Sequence, residues 1–220
     1  MEAVIDKNAS KPLYTKGEEI FNAVSHITGG AIGLAVWAIL LYLTWGNAVR
    51  MIAVSAFGFG IVVLYTMSAL YHFLPNGRGK RVFRIFDHCT IFLLIAGTYT
   101  PYCLIPLYGT TMGWTVLAVE WGIAVAGITM NAIAMNNMVI KSISMVFYVV
   151  GGWIAVIFLP MLLKIVTMNC VLLLLFGGVA YTVGIGFFAF GKKVRYFHSV
   201  WHLFTILGTV LQFASIAMMI

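Results

Sequence analysis

Charge is what this chain has least of. Only 9% of its 220 residues are Asp, Glu, Lys or Arg, where a soluble domain carries about 25%. With 62% apolar residues and a mean hydropathy of +1.03, that scarcity excludes a water-soluble globule. A disordered chain needs the opposite balance. Cysteine is also sparse: Cys89, Cys103 and Cys170 lie far apart with no CxxC, which argues against a thiolate metal site or a disulfide framework. The apolar runs are continuous and lack the alternation of a lipid-facing barrel strand, so strands are excluded. Six acidic residues stand against thirteen Lys and Arg, a net charge of +7. That surplus is read as membrane topology, because basic residues of membrane proteins collect on the cytoplasmic side. No nucleic-acid partner is expected.

What the chain has in abundance is spanning sequence. Seven apolar segments, about 20–43, 51–73, 86–105, 112–133, 142–163, 170–190 and 198–219, are each long enough to cross a bilayer. Turn-forming residues separate them: Gly46-Asn47, Pro75-Asn76-Gly77, Pro106, Asn136-Asn137, Asn169 and Gly191-Lys192-Lys193. The expected fold is all-α, a seven-helix transmembrane bundle over 19–220 preceded by a short cytoplasmic tail, 1–18. That tail is polar, with no apolar core before Ile20, so a cleavable signal peptide is not expected. No internal repeat is evident, and an odd number of spans gives no inverted-repeat transporter pattern. Placing the N-terminus inside puts Lys7, Lys11, Lys16, Arg78, Lys80, Arg81, Arg84, Lys141, Lys192, Lys193 and Arg195 on the inner side, and only Arg50 and Lys164 outside. The expected orientation is therefore N-terminus cytoplasmic and C-terminus outside, as an integral membrane protein.

Ionisable side chains within spans are costly and by default suggest function. Glu19, Asn22, Ser25 and His26 open the first span, Ser68 and His72 close the second, Asp87 and His88 open the third, and His198 and His202 open the seventh. All fall at the inner ends of their helices, and they include all five histidines of the chain. Glu120 alone lies elsewhere, marking a separate polar cavity or an interhelical hydrogen bond. His198 and His202 are four residues apart and so share a helix face. Chance alone gives five histidines such a pair in roughly one chain in ten, so the pair gains weight from His72 and Asp87 at the same depth on two other helices. Three imidazoles with an open fourth position describe a catalytic zinc site.

The supporting residues admit two readings each. Asp87 is a metal ligand, an orienter of a histidine N–H or a base for a water; otherwise it caps its helix or pairs with Arg84 or Arg81. Ser68, four residues before His72, bonds the site or its own i−4 carbonyl. Glu19, Asn22 and His26 share one helical face and either support the site or pack polar groups at the headgroup boundary. His88 points about 100° away from Asp87 and is the weaker ligand candidate. The Gly29-Gly30-Ala31-Ile32-Gly33 run reads as a close helix-packing face. Pro101 and Pro160 read as kinks or stops, and nothing assigns chemistry to Thr98-Tyr99-Thr100-Pro101.

These blocks resemble a known family. Ser68-Ala-Leu-Tyr-His72, Asp87 and His198-Ser-Val-Trp-His202 are similar to the signature blocks of the PAQR (progestin and adipoQ receptor) family. Glu19-Ile-Phe-Asn22-Ala-Val-Ser25-His26 and the run from Asp87 to Pro101 look specifically like its bacterial hemolysin III branch. The resemblance covers nearly the whole chain from residue 18. It implies a seven-helix bundle with zinc near the cytoplasmic face, held by His72, His198 and His202, with Asp87 holding a water and Ser68 nearby. The wider superfamily includes alkaline ceramidases, so the implied chemistry is hydrolysis of a lipid amide. The long N-terminal domain of the adiponectin receptors is missing, which argues against their hormone-signalling role.

The leading expectation is a zinc-dependent hydrolase of a lipid amide or ester, with a membrane lipid as substrate and a role in membrane lipid homeostasis. Zinc would activate the water, Asp87 would take the proton, and the acyl chain would lie in the bundle interior. A second reading keeps zinc as a structural element of a membrane-state sensor. A third is a cytolytic pore, disfavoured because 62% apolar composition leaves no water-soluble form. Transport rests on Glu120 alone. No residue pattern specifies an oligomer.

Overall fold

Residues 14–220 are described by the structure, a computed structural model. Residues 1–13, most of the polar tail and with it Lys7 and Lys11, lie outside the described residues. The described chain is helical, without strands: α1 (Lys16–Leu43), α2 (Ala48–Phe73), α3 (Arg78–Leu104), α4 (Thr111–Ala134), α5 (Met138–Gly152), α6 (Ala155–Ile165), α7 (Met168–Phe190) and α8 (Phe197–Met218). With α5 and α6 counted as one interrupted crossing, seven stretches are long and apolar enough to span a membrane. The outside of the bundle is as apolar as its inside, with Ile133 80% and Ile52 65% exposed, the pattern of a helix surface solvated by lipid.

The turn residues between spans also start the next helix. Asn47, Thr110, Asn137 and Thr167 each accept a backbone N–H from the first turn of α2, α4, α5 and α7, satisfying donors that a helix N-terminus leaves free. Helix α1 begins at Lys16, ahead of the expected boundary at 19, because Thr15 and Glu18 form a capping box. Helix α3 begins at Arg78, eight residues before the apolar segment read from sequence, so Asp87 lies nine residues into that helix and does not cap it.

Short links run the spans alternately up and down. One end of the bundle gathers the starts of α1, α3, α5 and α8 and the ends of α2, α4 and α7. Nine of the eleven described Lys and Arg lie at that end. Arg50 lies at the other, donating to the Ile220 carbonyl at 3.1 Å. Phe57, Ile61, Tyr65, Tyr102 and Phe158 are fully buried in the shared core. Glycine allows the closest approaches: a Cβ at Gly33 would stand 2.5 Å from the Ile61 side chain, and one at Gly97 2.5 Å from the Ala56 carbonyl oxygen.

The fifth span is interrupted at Trp153 and Ile154, after Gly151-Gly152. The Tyr99 hydroxyl donates to the Gly152 carbonyl, and the Trp153 indole N–H donates to Thr182 Oγ1 on α7 at 2.9 Å. Thr98 and Thr100 bond carbonyls one turn back in α3, and Thr100 accepts the Trp121 indole N–H. The Thr98–Thr100 stretch is thus structural, clasping the interrupted span. Pro101 falls in the last turn of α3, while Pro160 lies inside α6, seven residues after the interruption begins. Glu120 is buried against Gly151, and neither of its oxygens has a hydrogen-bond partner among the described residues.

Candidate metal centre

His72 occupies the last turn of α2, and His198 and His202 the first turns of α8. Both helix ends are anchored. Lys80 Nζ, from the start of α3, donates to the carbonyls of His72 and Leu74 at 3.3 and 3.1 Å, satisfying acceptors that the α2 terminus leaves open. Ahead of α8, Tyr196 takes a left-handed conformation with φ 63°, which is costly for a side-chain-bearing residue. Its N–H donates to Glu18 Oε1 at 2.7 Å, and the same carboxylate closes the α1 capping box. Glu18 therefore ties the start of α1 to the turn that aims His198.

The three imidazoles are buried, and each offers a ring nitrogen within 4.8 Å of the other two. His198 Nε2 stands 3.3 Å from His72 Nε2 and 3.2 Å from His202 Nε2. Neighbours decide where the protons sit. His72 Nδ1 is 2.7 Å from Glu19 Oε2, an acceptor-only carboxylate, so Nδ1 carries the hydrogen and Nε2 a lone pair. His202 Nδ1 is 3.2 Å from Ser25 Oγ. The Ser25 hydrogen is already donated to the Asn22 carbonyl, so Ser25 accepts and His202 Nε2 also carries a lone pair. Two lone pairs thus face His198 Nε2, and one N–H there cannot satisfy both well. A cation accepts all three nitrogens at once. The donor set fits a metal ion.

The remaining candidates fall into two groups. Glu19, Asn22 and His26 all reach the histidines or their helix. Glu19 bridges His72 and Lys80, with Nζ–Oε1 at 3.0 Å. Asn22 Oδ1 accepts the Ser199 hydroxyl at 2.7 Å. His26 stacks on His202 with ring centres 3.6 Å apart and bonds Thr205 Oγ1 at 3.3 Å. Ser68 is buried one turn before His72, and among the described residues it makes no bond to its i−4 carbonyl. Asp87 is not part of the three-nitrogen cluster and forms no ion pair with Arg84 or Arg81 among the described residues. It lines a cavity of about 200 Å³ together with His198, His88, Tyr14 and Tyr71.

Several participants escaped the sequence reading. Tyr14 lies flat on His198, with ring centres 4.6 Å apart and planes at 18°; burial pushes its hydroxyl well above the usual phenol range. Lys80 gave no signal because its partners are remote in sequence or are backbone groups, whereas Glu18 left one in the Thr15-x-x-Glu18 capping-box pattern, though its bond to Tyr196 is remote. Thr205 did leave one, continuing the His198–His202 stripe at i+7.

The fold and this site define a class: a seven-span membrane protein with a buried histidine cluster able to hold a metal ion. A family model described as "Haemolysin-III related" matches residues 14–213. The chain is 35% identical over 198 residues to "Hemolysin-3" of Bacillus cereus, covering 89% of each chain. It is 33% identical over 203 residues to "Hemolysin-3 homolog" of Bacillus subtilis (strain 168), covering 91% of this chain and 93% of the relative. The protein belongs to the haemolysin-III-related family, the bacterial branch of the PAQR proteins. It is a multi-pass integral protein of the bacterial membrane.

Proposed function

We propose that this protein is a zinc-dependent hydrolase of an acyl amide or ester of a membrane lipid, serving membrane lipid homeostasis, with its site beneath the cytoplasmic leaflet. The observation that carries the reading is the convergence of three buried imidazole nitrogens whose hydrogen-bond partners leave lone pairs turned inward. Two nitrogens about 2.0–2.1 Å from a common tetrahedral zinc stand roughly 3.3 Å apart, which matches the 3.2 and 3.3 Å separations. Bound by His72, His198 and His202, zinc supplies Lewis-acid polarisation of a carbonyl and acidifies water.

The chain's own residues supply the rest. Glu19 holds the His72 ring in the ligating tautomer, as carboxylate partners of metal-bound histidines do. Asp87, lining the same cavity as His198, accepts the proton lost by the attacking water on its carboxylate. Ser68 sits on the His72 face of α2 and offers a hydroxyl to the site. A second, apolar cavity lies among α3, α5 and α7 and shares Met145, Tyr148 and Phe188 with the polar one, which provides water-free space for an acyl chain. The crowding of Lys and Arg at the site end supports a cytoplasmic position for it.

The test is turnover. Zinc-loaded wild type is expected to release fatty acid from a panel of lipid amides and esters, and Asp87→Ala to lose that release; equal rates for the two refute the enzymatic reading. Metal analysis of wild type against His202→Ala checks the ligand set. A structural role for the metal has one observation in its favour: it would tie α2 to α8, near opposite ends of the chain. That alternative predicts that chelation lowers the melting temperature while the panel shows no turnover.

A further inference from the structure

The polar cavity next to His198 carries more cationic charge than the proposed chemistry uses. Its wall includes Arg84 from α3, Lys141 from α5 and Lys192 from the α7–α8 link, three cations brought from three separate elements. Among the described residues, Asp87 is the sole carboxylate lining it. None of the three cations makes an ion pair among the described residues. Lys192, exposed at the rim of the cavity and outside the spans, is held below the usual ammonium range by partial desolvation and by the neighbouring Arg84 and Lys141. Like charges gathered in a partly enclosed space repel one another, and a metal ion in the histidine cluster would add to that excess.

We propose that Arg84, Lys141 and Lys192 form a phosphate-binding site, and that its occupant is the phosphate headgroup of an anionic membrane lipid. The second clause rests on the lipid-hydrolase reading above; the binding site itself does not. A dianionic phosphate offers acceptor oxygens in several directions, matching a guanidinium fork and two ammonium groups arriving from a helix and a link. The apolar cavity lies next to this one, with Met145, Tyr148 and Phe188 lining both, and that apolar neighbour selects a lipid over free phosphate. A headgroup among the cations leaves its chains directed toward that apolar space, and the scissile acyl linkage, which joins head to chain, falls between the two beside His198. The cations thus set substrate choice: a phosphate-bearing lipid over a neutral one.

The experiment measures binding separately from turnover. Zinc-loaded full-length protein in uncharged detergent is titrated with dihexanoyl phosphatidic acid, with dihexanoylglycerol and with inorganic phosphate. Phosphatidic acid is expected to bind at least about tenfold more tightly than either control, the charge-assisted contacts to phosphate supplying the difference. Arg84→Gln and Lys141→Gln are each expected to weaken it by about tenfold with zinc content unchanged, and Arg84→Lys to weaken it less. Equal binding of the neutral lipid, or unchanged affinity in the Arg84→Gln/Lys141→Gln double variant, overturns the site. Inorganic phosphate binding as tightly as the lipid overturns the lipid assignment. The wild-type comparison needs no variant to fold. Asp87→Ala separates the two proposals: it is expected to lose turnover yet bind phosphatidic acid at least as tightly, since one negative charge has left the cavity. Phosphatidic acid that binds selectively without ever being cleaved leaves this site standing and removes the hydrolase.

Discussion

Replacing Glu19 by Gln would test the site at a single atom pair. Glu19 Oε2 accepts the His72 Nδ1 hydrogen at 2.7 Å, and its other oxygen meets Lys80 at 3.0 Å. Glutamine keeps the shape and an acceptor oxygen but removes the charge. Hydrogen bonds to a charged partner contribute about 1.5–3 kcal/mol against about 0.5–1.5 for neutral ones, so roughly 1–1.5 kcal/mol of alignment is at stake. The loss is concentrated in the metal-loaded protein, because a cation on Nε2 makes the Nδ1 hydrogen more acidic and its bond to a carboxylate stronger. Lys80, left without its counter-charge near the site, adds repulsion in the same direction. Both effects weaken metal binding, and removal of such outer partners costs about 10–100-fold. The assay is competition with a chromogenic zinc chelator in detergent, with circular dichroism to verify folding. A folded Glu19→Gln protein with wild-type zinc affinity would refute the claim that Glu19 fixes the ligating tautomer.

Three further outcomes follow from the same contacts. Glu18→Ala removes the α1 capping box and the acceptor of the Tyr196 N–H; a cap contributes about 1 kcal/mol and the left-handed turn loses its support, so the melting temperature should fall by at least about 2–4 °C, with weaker metal binding because α8 is no longer aimed. Gly97→Ala places a methyl 2.5 Å from the Ala56 backbone oxygen, and overpacking of about 1–3 kcal/mol should lower thermal stability more than the same change at Gly122, where a Cβ meets nothing within 4 Å. Tyr99→Phe removes the donor to the Gly152 carbonyl at the interruption of the fifth span, and should raise hydrogen exchange at residues 151–155 while leaving zinc affinity unchanged.

Composition and periodicity were enough to establish membrane residence, the number of crossings and the layer in which polar residues gather. Lipid tolerates no unpaired backbone and few charges, so continuous apolar runs have one structural outcome and every exception is conspicuous. His198 and His202 were readable as a pair because a helix puts i and i+4 on one face. Their meeting with His72 was not, since no local rule brings residues 126 apart within 3.3 Å. Only the packing of α1 between those helix ends revealed that Glu19 directs His72, that Ser25 directs His202 and that Glu18 holds the turn before α8. The same limit applied to Asp87: sequence placed it at a helix start beside Arg84, whereas tertiary structure set it mid-helix, facing a cavity. Arg84, Lys141 and Lys192 read one by one as topology signals, and only the packing of two helices and the α7–α8 link brought them to the wall of one cavity. A one-dimensional pattern reports what each segment must bury, but the partner of a buried polar atom is chosen by whichever remote helix packs against it.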